Sequence, residues 1–294
     1  YRLPGGGGLL IKAFVKEFRR YGGEVLKHKE VCQLNVVDNK VVGVICKDGT
    51  AYQGKNVISN VHPSMTINLT GETHFKPAYR KRIQNLKNTV SSFSVFLTLK
   101  SESVKYINHN RYELYTENPF DTVDYDSANW PNYLMVSTGS TKVNRAFANT
   151  ISILTYMDKS EVEEWSGTFN TVPQPSDREE SYQSWKRKKE NQVLEKFFQR
   201  YPDVKDEVIG VYSSSPLTYK DYLGTPEGEL YGVEKDIQQI HSATLNTRTK
   251  VDNLYLTGQN IVLHGILGSC IGALLTTFNF IDRKELLDKI NHGF

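Results

Sequence analysis

Asn253-Leu254-Tyr255-Leu256-Thr257-Gly258-Gln259, then His264-Gly265-Ile266-Leu267-Gly268, then Gly272-Ala273-Leu274-Leu275, is the stretch from which the fold can be read. Residues 253–257 predict a short buried strand. Gly258 to Gly268, with three glycines, predicts a loop. Ser269 to about Ile281, carrying Ile271, Leu274, Leu275 and Phe278, predicts a core helix. A strand, a glycine-rich turn and a helix in succession present backbone N–H groups to a ligand. Glycines let the backbone approach without a Cβ clash, and the helix adds the positive end of its dipole at the same spot. The same spacing also suits a helix that merely packs close to a strand, with glycines at the contact.

Outward from this stretch the chain reads as one unit at both ends with a different unit between. Residues 9–21 predict an amphipathic helix, with Leu10, Phe14, Phe18 and Tyr21 on one face, stopped by Gly22-Gly23. Val31–Val37 and Val41–Cys46 predict a hairpin turning at Asp38-Asn39. Asn56–Val61 predicts a short strand ended by Pro63. Residues 64–245 are richer in Tyr, Asn, Ser and Lys. There, strands are expected at Phe93–Leu99, Arg111–Thr116, Tyr133–Ser137, Thr150–Met157 and Val208–Tyr212, the last followed by a loop at Ser213-Ser214-Ser215-Pro216. A helix is expected over 177–200, with Tyr182, Trp185, Val193 and Phe197 apolar and Lys186-Arg187-Lys188-Lys189 as a solvated face or, alternatively, a contact to an anionic membrane surface.

Composition narrows the function. A net charge of +3 over 294 residues gives no reason to expect a nucleic-acid partner. Cys32, Cys46 and Cys270 are widely spaced and odd in number, which favours a reducing, cytoplasmic compartment. The apolar window Ile261–Leu275 is shorter than the roughly 20 residues of a membrane span. The histidines show no HxxxH spacing, so no metal site is expected. Pro4-Gly5-Gly6-Gly7-Gly8 is not a dinucleotide fingerprint, because Leu10 stands where a third glycine is needed and no strand precedes it. Gly268-Ser269-Cys270 is no nucleophile elbow, since Leu267 and Ile271 occupy its glycine positions. Glu163-Glu164 and Glu179-Glu180 read as surface charge, and no catalytic side chain is assigned.

The 253–275 stretch resembles the C-terminal flavin-contacting signature of the phytoene desaturase, carotenoid isomerase and retinol saturase family. Its Leu-Thr-Gly-Gln core and Gly-Ala-Leu-Leu ending are most similar to the retinol saturase branch. Ser215-Pro216-Leu217-Thr218 with Tyr222, Gly228-Glu229-Leu230-Tyr231-Gly232 and Thr247-Arg248-Thr249 resemble the segment before that family's last strand. Pro4-Gly5-Gly6, Val31 and the 56–63 strand resemble its Pro-x-Gly-Gly stretch and FAD-domain meander.

The resemblance implies an α/β fold. Residues 1–62 and 246–294 would form the C-terminal half of an amine-oxidase-type FAD-binding domain, and residues 63–245 an inserted α+β substrate domain on a mixed sheet. It implies that Val31 contacts the adenine end of FAD through its backbone. Gly258 and Gln259 would lie by the pyrophosphate and ribityl chain, and Gly265, Leu267 and Gly268 along the isoalloxazine and its N1–C2=O edge. His264 departs from the proline or cysteine often met before that glycine, and its role is open. The family's GxGxxG and ribose-binding acid would precede Tyr1, so the chain is expected to be a fragment that holds little FAD by itself. The activity implied is hydride transfer between flavin N5 and a carbon–carbon bond of an apolar polyene, isoprenoid or retinoid, by a protein with peripheral membrane contact. Phe93, Phe96, Tyr133, Tyr156, Trp165 and Phe169 would line an apolar tunnel or else fill a core. An amine oxidase and a non-catalytic binding protein of the same fold are the alternatives.

Overall fold

The computed structural model describes residues 6–140, 145–175, 178–239 and 244–292; Pro4 and Gly5 lie outside them. In chain order the elements begin with α1 (Gly7–Arg20), β1 (Val31–Val37), β2 (Lys40–Cys46), β3 (Ala51–Gln53), β4 (Val57–Ser59), α2 (Pro63–Thr70) and α3 (Pro77–Gln84). They continue with β5 (Ser91–Leu99), β6 (Val104–Lys105), β7 (Arg111–Leu114), β8 (Tyr133–Gly139), β9 (Phe147–Ala148) and β10 (Thr150–Met157). The last are α4 (Glu180–Arg200), β11 (Val208–Ser214), α5 (Pro216–Leu223), β12 (Leu254–Leu256), α6 (Gly265–Thr277) and α7 (Arg283–His292).

Two compact units form, residues 28–89 with 224–294 and residues 1–27 with 90–223. The boundaries expected at 62/63 and 245/246 both fall inside the first unit, because α2, α3 and the 231–234 segment share its core and hydrogen bonds.

The first unit carries an antiparallel β1-β2-β3 sheet and a parallel β12-β4 pair. Asp38 and Asn39 have φ of 48° and 59°, as a two-residue hairpin joining Val37 to Lys40 requires. Leu34, Val41, Ile67, Ile83, Leu254, Leu256 and Ile261 form the buried core. The Asn253 side chain ties the strands together: Val41 N–H donates to its Oδ1 at 2.8 Å, and its Nδ2 donates to Val41 O and Lys55 O.

His62 caps α2. It is buried, takes the Ser64 N–H on Nδ1 at 3.3 Å, and has Nε2 3.1 Å from Asn88 Oδ1. Burial pushes its pKa below the ordinary 6.5. As pH falls, the unfolded chain therefore takes up this proton first. The stability His62 contributes is complete above about pH 6.5 and is lost as pH falls through the lower folded value. His62→Asn, which keeps a capping side chain, should flatten this part of the pH dependence in urea titrations. An unchanged dependence would contradict it.

The second unit is built on a five-stranded sheet in the order β11-β5-β10-β8-β7, antiparallel at every pairing rather than mixed. No strand–helix–strand crossover joins neighbouring strands, so nothing imposes a parallel pair. Phe93, Val95, Leu97, Ile151, Ile153, Leu134 and Val136 alternate onto one face and are buried with Val193 and Phe197 of α4. Phe93 is thus core. Trp165 belongs to a separate cluster with Val162, Tyr182 and Leu217. Phe96, Leu154, Tyr133 and Tyr156 point to the opposite face, where Tyr112, Tyr133 and Tyr156 stack at 6.4 and 5.2 Å.

The basic run on α4 is not one solvated face. Lys189 turns inward to Glu161 at 2.9 Å and lies over the Trp130 ring at 4.6 Å, and burial lowers the pKa of Lys186. Arg187 and Lys188 are exposed, as are Glu163, Glu164, Glu179 and Glu180. The apolar stripe of α1 is largely uncovered, with Phe14 61% and Phe18 53% exposed. Among the described residues no helix is long and apolar enough to cross a membrane.

Candidate flavin-edge site

The Gly258–Gly272 segment is shaped first by packing. Gly258 has φ of 90°, and a Cβ there would stand 1.9 Å from Asn60 Oδ1. A Cβ on Gly268 would meet Leu263 O at 2.2 Å, and one on Gly272 would meet Gly258 O at 2.8 Å. Gly258 is thus required by its φ and by Asn60, Gly268 by Leu263 just before α6, and Gly272 by the Gly258 turn after β12, whether or not a ring lies beyond them. Thr276 Oγ1 donates to Leu256 O at 2.9 Å and pins the helix to the strand. The loop ends at His264, so Gly265 and Gly268 lie in the first turn of α6, four residues before the expected helix start.

Gly265 differs from the others. Its φ is 77°, and nothing lies within 4 Å of where its Cβ would be. Ile266 and Leu267 are 70% and 72% exposed. His264 is the N-cap residue, yet its side chain does not cap, and the first turn holds no acidic residue. The first-turn N–H groups and positive dipole end of this 13-residue helix thus receive no side-chain cap. That donor set fits the electron-rich N1–C2=O edge of a flavin. Gly258, Gln259, Gly265, Leu267 and Gly268 are thus brought into one turn and helix start. Val31 stands apart from them, at the first residue of β1, paired with Cys46 and half-buried against the core that holds Leu254 and Leu256.

A second layer escapes the sequence reading. Asn260 Oδ1 accepts the Val233 N–H at 2.9 Å and fills the space a Gly232 Cβ would need. Lys235 Nζ donates to Asn260 O at 2.9 Å, and burial pushes its pKa down to about 8. The Tyr231 and His264 rings lie 4.9 Å apart at an angle of 32°. Only the family resemblance of 228–232 flagged this segment; nothing in its spacing says that it straps the loop before α6. A polar cavity of about 560 Å³, lined by Tyr115, Tyr125, Trp130, Asn132 and Lys196 among others, shares no residue with this site.

No family model matches the chain. It is 26% identical over 307 residues to an all-trans-retinol 13,14-reductase of Danio rerio, covering 97% of this chain and 50% of that protein. To the Rattus norvegicus protein of the same name it is 28% identical over 302 residues, covering 92% and 47%. Over most of its length the chain is thus similar to all-trans-retinol 13,14-reductases, the retinol saturases. It spans about half the length of these retinol saturases. Among solved structures, an oxidoreductase from Methanosarcina mazei has a TM-score of 0.57 at 15% identity, covering 92% of this chain and 54% of that one. A redesigned putrescine oxidase has a TM-score of 0.53 at 13% identity, covering 95% and 52%. At these identities the likeness is one of fold, and it agrees with the α/β fold expected from the sequence.

Proposed function

We propose that the protein is a flavin-dependent oxidoreductase that adds hydrogen across, or removes it from, a carbon–carbon bond of a retinoid or related polyene. The observation that carries this reading is the match over 97% of the chain to an all-trans-retinol 13,14-reductase. FAD would supply hydride transfer when bound. Residues 265–268 would donate backbone N–H groups to its N1–C2=O edge, and Gly258 and Gln259 would lie along its pyrophosphate and ribityl chain, with Val31 at the adenine end. An N–H cluster at a helix start stabilises the reduced, anionic form without moving during the reaction.

A non-catalytic reading has one observation in its favour. An inactive all-trans-retinol 13,14-reductase of Danio rerio is 23% identical over 98% of this chain. The visible spectrum of the purified full-length protein separates the two: the proposal expects about one bound flavin per chain. A full-length protein that is folded and flavin-free would overturn it.

A further inference from the structure

The uncovered stripe of α1 has a second side that is as sharply defined. At about 100° per residue, Leu10, Ile11, Phe14, Val15 and Phe18 fall within an arc of roughly 140°, and Lys12, Lys16, Arg19 and Arg20 occupy the opposite side. None of the helix's residues is buried, and Ile11, Phe14, Phe18 and the adjoining Tyr21 are each more than half exposed. The stripe runs on into the turn that ends the helix, where the Phe18 ring fills the space a Gly23 Cβ would need. One carboxylate is present on α1, that of Glu17, and it pairs with Arg20 at 2.9 Å. Lys12, Lys16 and Arg19 have no carboxylate partner among the described residues. The helix has no hydroxyl or amide side chain, so recognition by it rests on apolar area and positive charge alone.

We propose that α1 is an interfacial helix that docks the protein on an anionic membrane surface. Ile11, Phe14 and Phe18 enter the acyl boundary, and Lys12, Lys16 and Arg19 meet the anionic headgroups. A helix of this length, with an apolar arc and a basic polar face, lies in the plane of the interface and does not cross it. The charge complementarity favours a lipid surface rich in anions, because three cations beside the stripe lack a counter-charge. The basic run of α4 does not offer the same surface, since Lys189 turns inward to Glu161 and Lys186 is partly desolvated. The docking surface stands independently of the flavin reading. For a polyene substrate it would bring the protein to the phase in which such a molecule dissolves.

The test is flotation of the full-length protein with phosphatidylcholine vesicles, with and without phosphatidylserine. Binding should need phosphatidylserine and weaken as salt is raised. Lys12→Gln with Lys16→Gln should lower the partition coefficient by about 10- to 30-fold. Ile11→Ser with Phe14→Ser should lower it on the order of 100-fold. Both pairs of side chains are exposed, so the thermal midpoint should stay that of the parent. Double variants that float like the parent would overturn the proposal. Hydrogen exchange separates the other occupants of the stripe. The amides of residues 7–20 should slow when phosphatidylserine vesicles are added. Full protection without vesicles would mean that another part of the full-length protein covers α1, and protection that rises with protein concentration would mean a second copy. Either result would overturn the membrane surface and leave the flavin reading untouched.

Discussion

Gly258→Ala should destabilise the 28–89 and 224–294 unit by about 3 kcal/mol, as a shift of the urea midpoint. Two physical terms add. An alanine at φ of 90° is strained, which costs about 1–3 kcal/mol. Its Cβ would also stand 1.9 Å from Asn60 Oδ1, so the asparagine must leave or the loop must open. The terms can be separated, because Asn60→Ala in the Gly258→Ala background removes the clash and keeps the strain. Partial recovery in the double variant is expected. A loss below about 1 kcal/mol in the single variant would mean that the Gly258 turn is not the one described.

Asp221→Ala should destabilise the other unit by about 3–5 kcal/mol. Asp221 pairs with Arg178, and their side chains are 1% and 4% exposed. The carboxylate also accepts the Asn170 N–H at 3.1 Å, while Arg178 Nε donates to Thr168 Oγ1 at 2.8 Å and its guanidinium lies over Tyr182. Removing the carboxylate leaves a buried cation without its counter-charge, which is worse than removing both charges. Arg178→Met with Asp221→Leu should therefore lose less than Asp221→Ala alone. Asp221 Oδ1 has no hydrogen-bond partner among the described residues, so the pair is not at its best geometry, and an apolar replacement has little to match. Equal losses in the single and double variants, read by thermal unfolding, would contradict this account.

What the sequence made legible follows from how local each signal is. The β1–β2 hairpin was readable because Asp38-Asn39 can adopt the paired positive φ the turn demands, and the strands on either side alternate. The strand Thr150–Met157 appears as expected, and α4 buries Tyr182, Val193 and Phe197 as its periodicity required. The short helices α2 and α5 were missed. Pro63 and Pro216 were read as a strand end and a loop, whereas each opens a helix, where a missing N–H does no harm. The start of α6 was misplaced for a related reason. Gly265 and Gly268 look like loop residues, but both lie in the helix, and Gly268 is a glycine there because Leu263 O leaves no room for a side chain. Lys189 was read as surface charge because its partners, Glu161 and Trp130, are far away in sequence. Asn60, Asn260 and Tyr231 were invisible as neighbours of the site for the same reason: each meets it through the tertiary fold, with no spacing rule to announce it.

The function proposed for the full-length protein is hydride transfer between flavin and a polyene carbon–carbon bond. It is tested most directly by the mass of the product formed when the full-length protein, with its flavin reduced anaerobically, meets all-trans-retinol. The account predicts a product heavier by two hydrogen atoms, formed as the flavin reoxidises. No reoxidation by any polyene, together with ready reduction of the oxidised flavin by a primary amine, would contradict it and make the protein an amine oxidase.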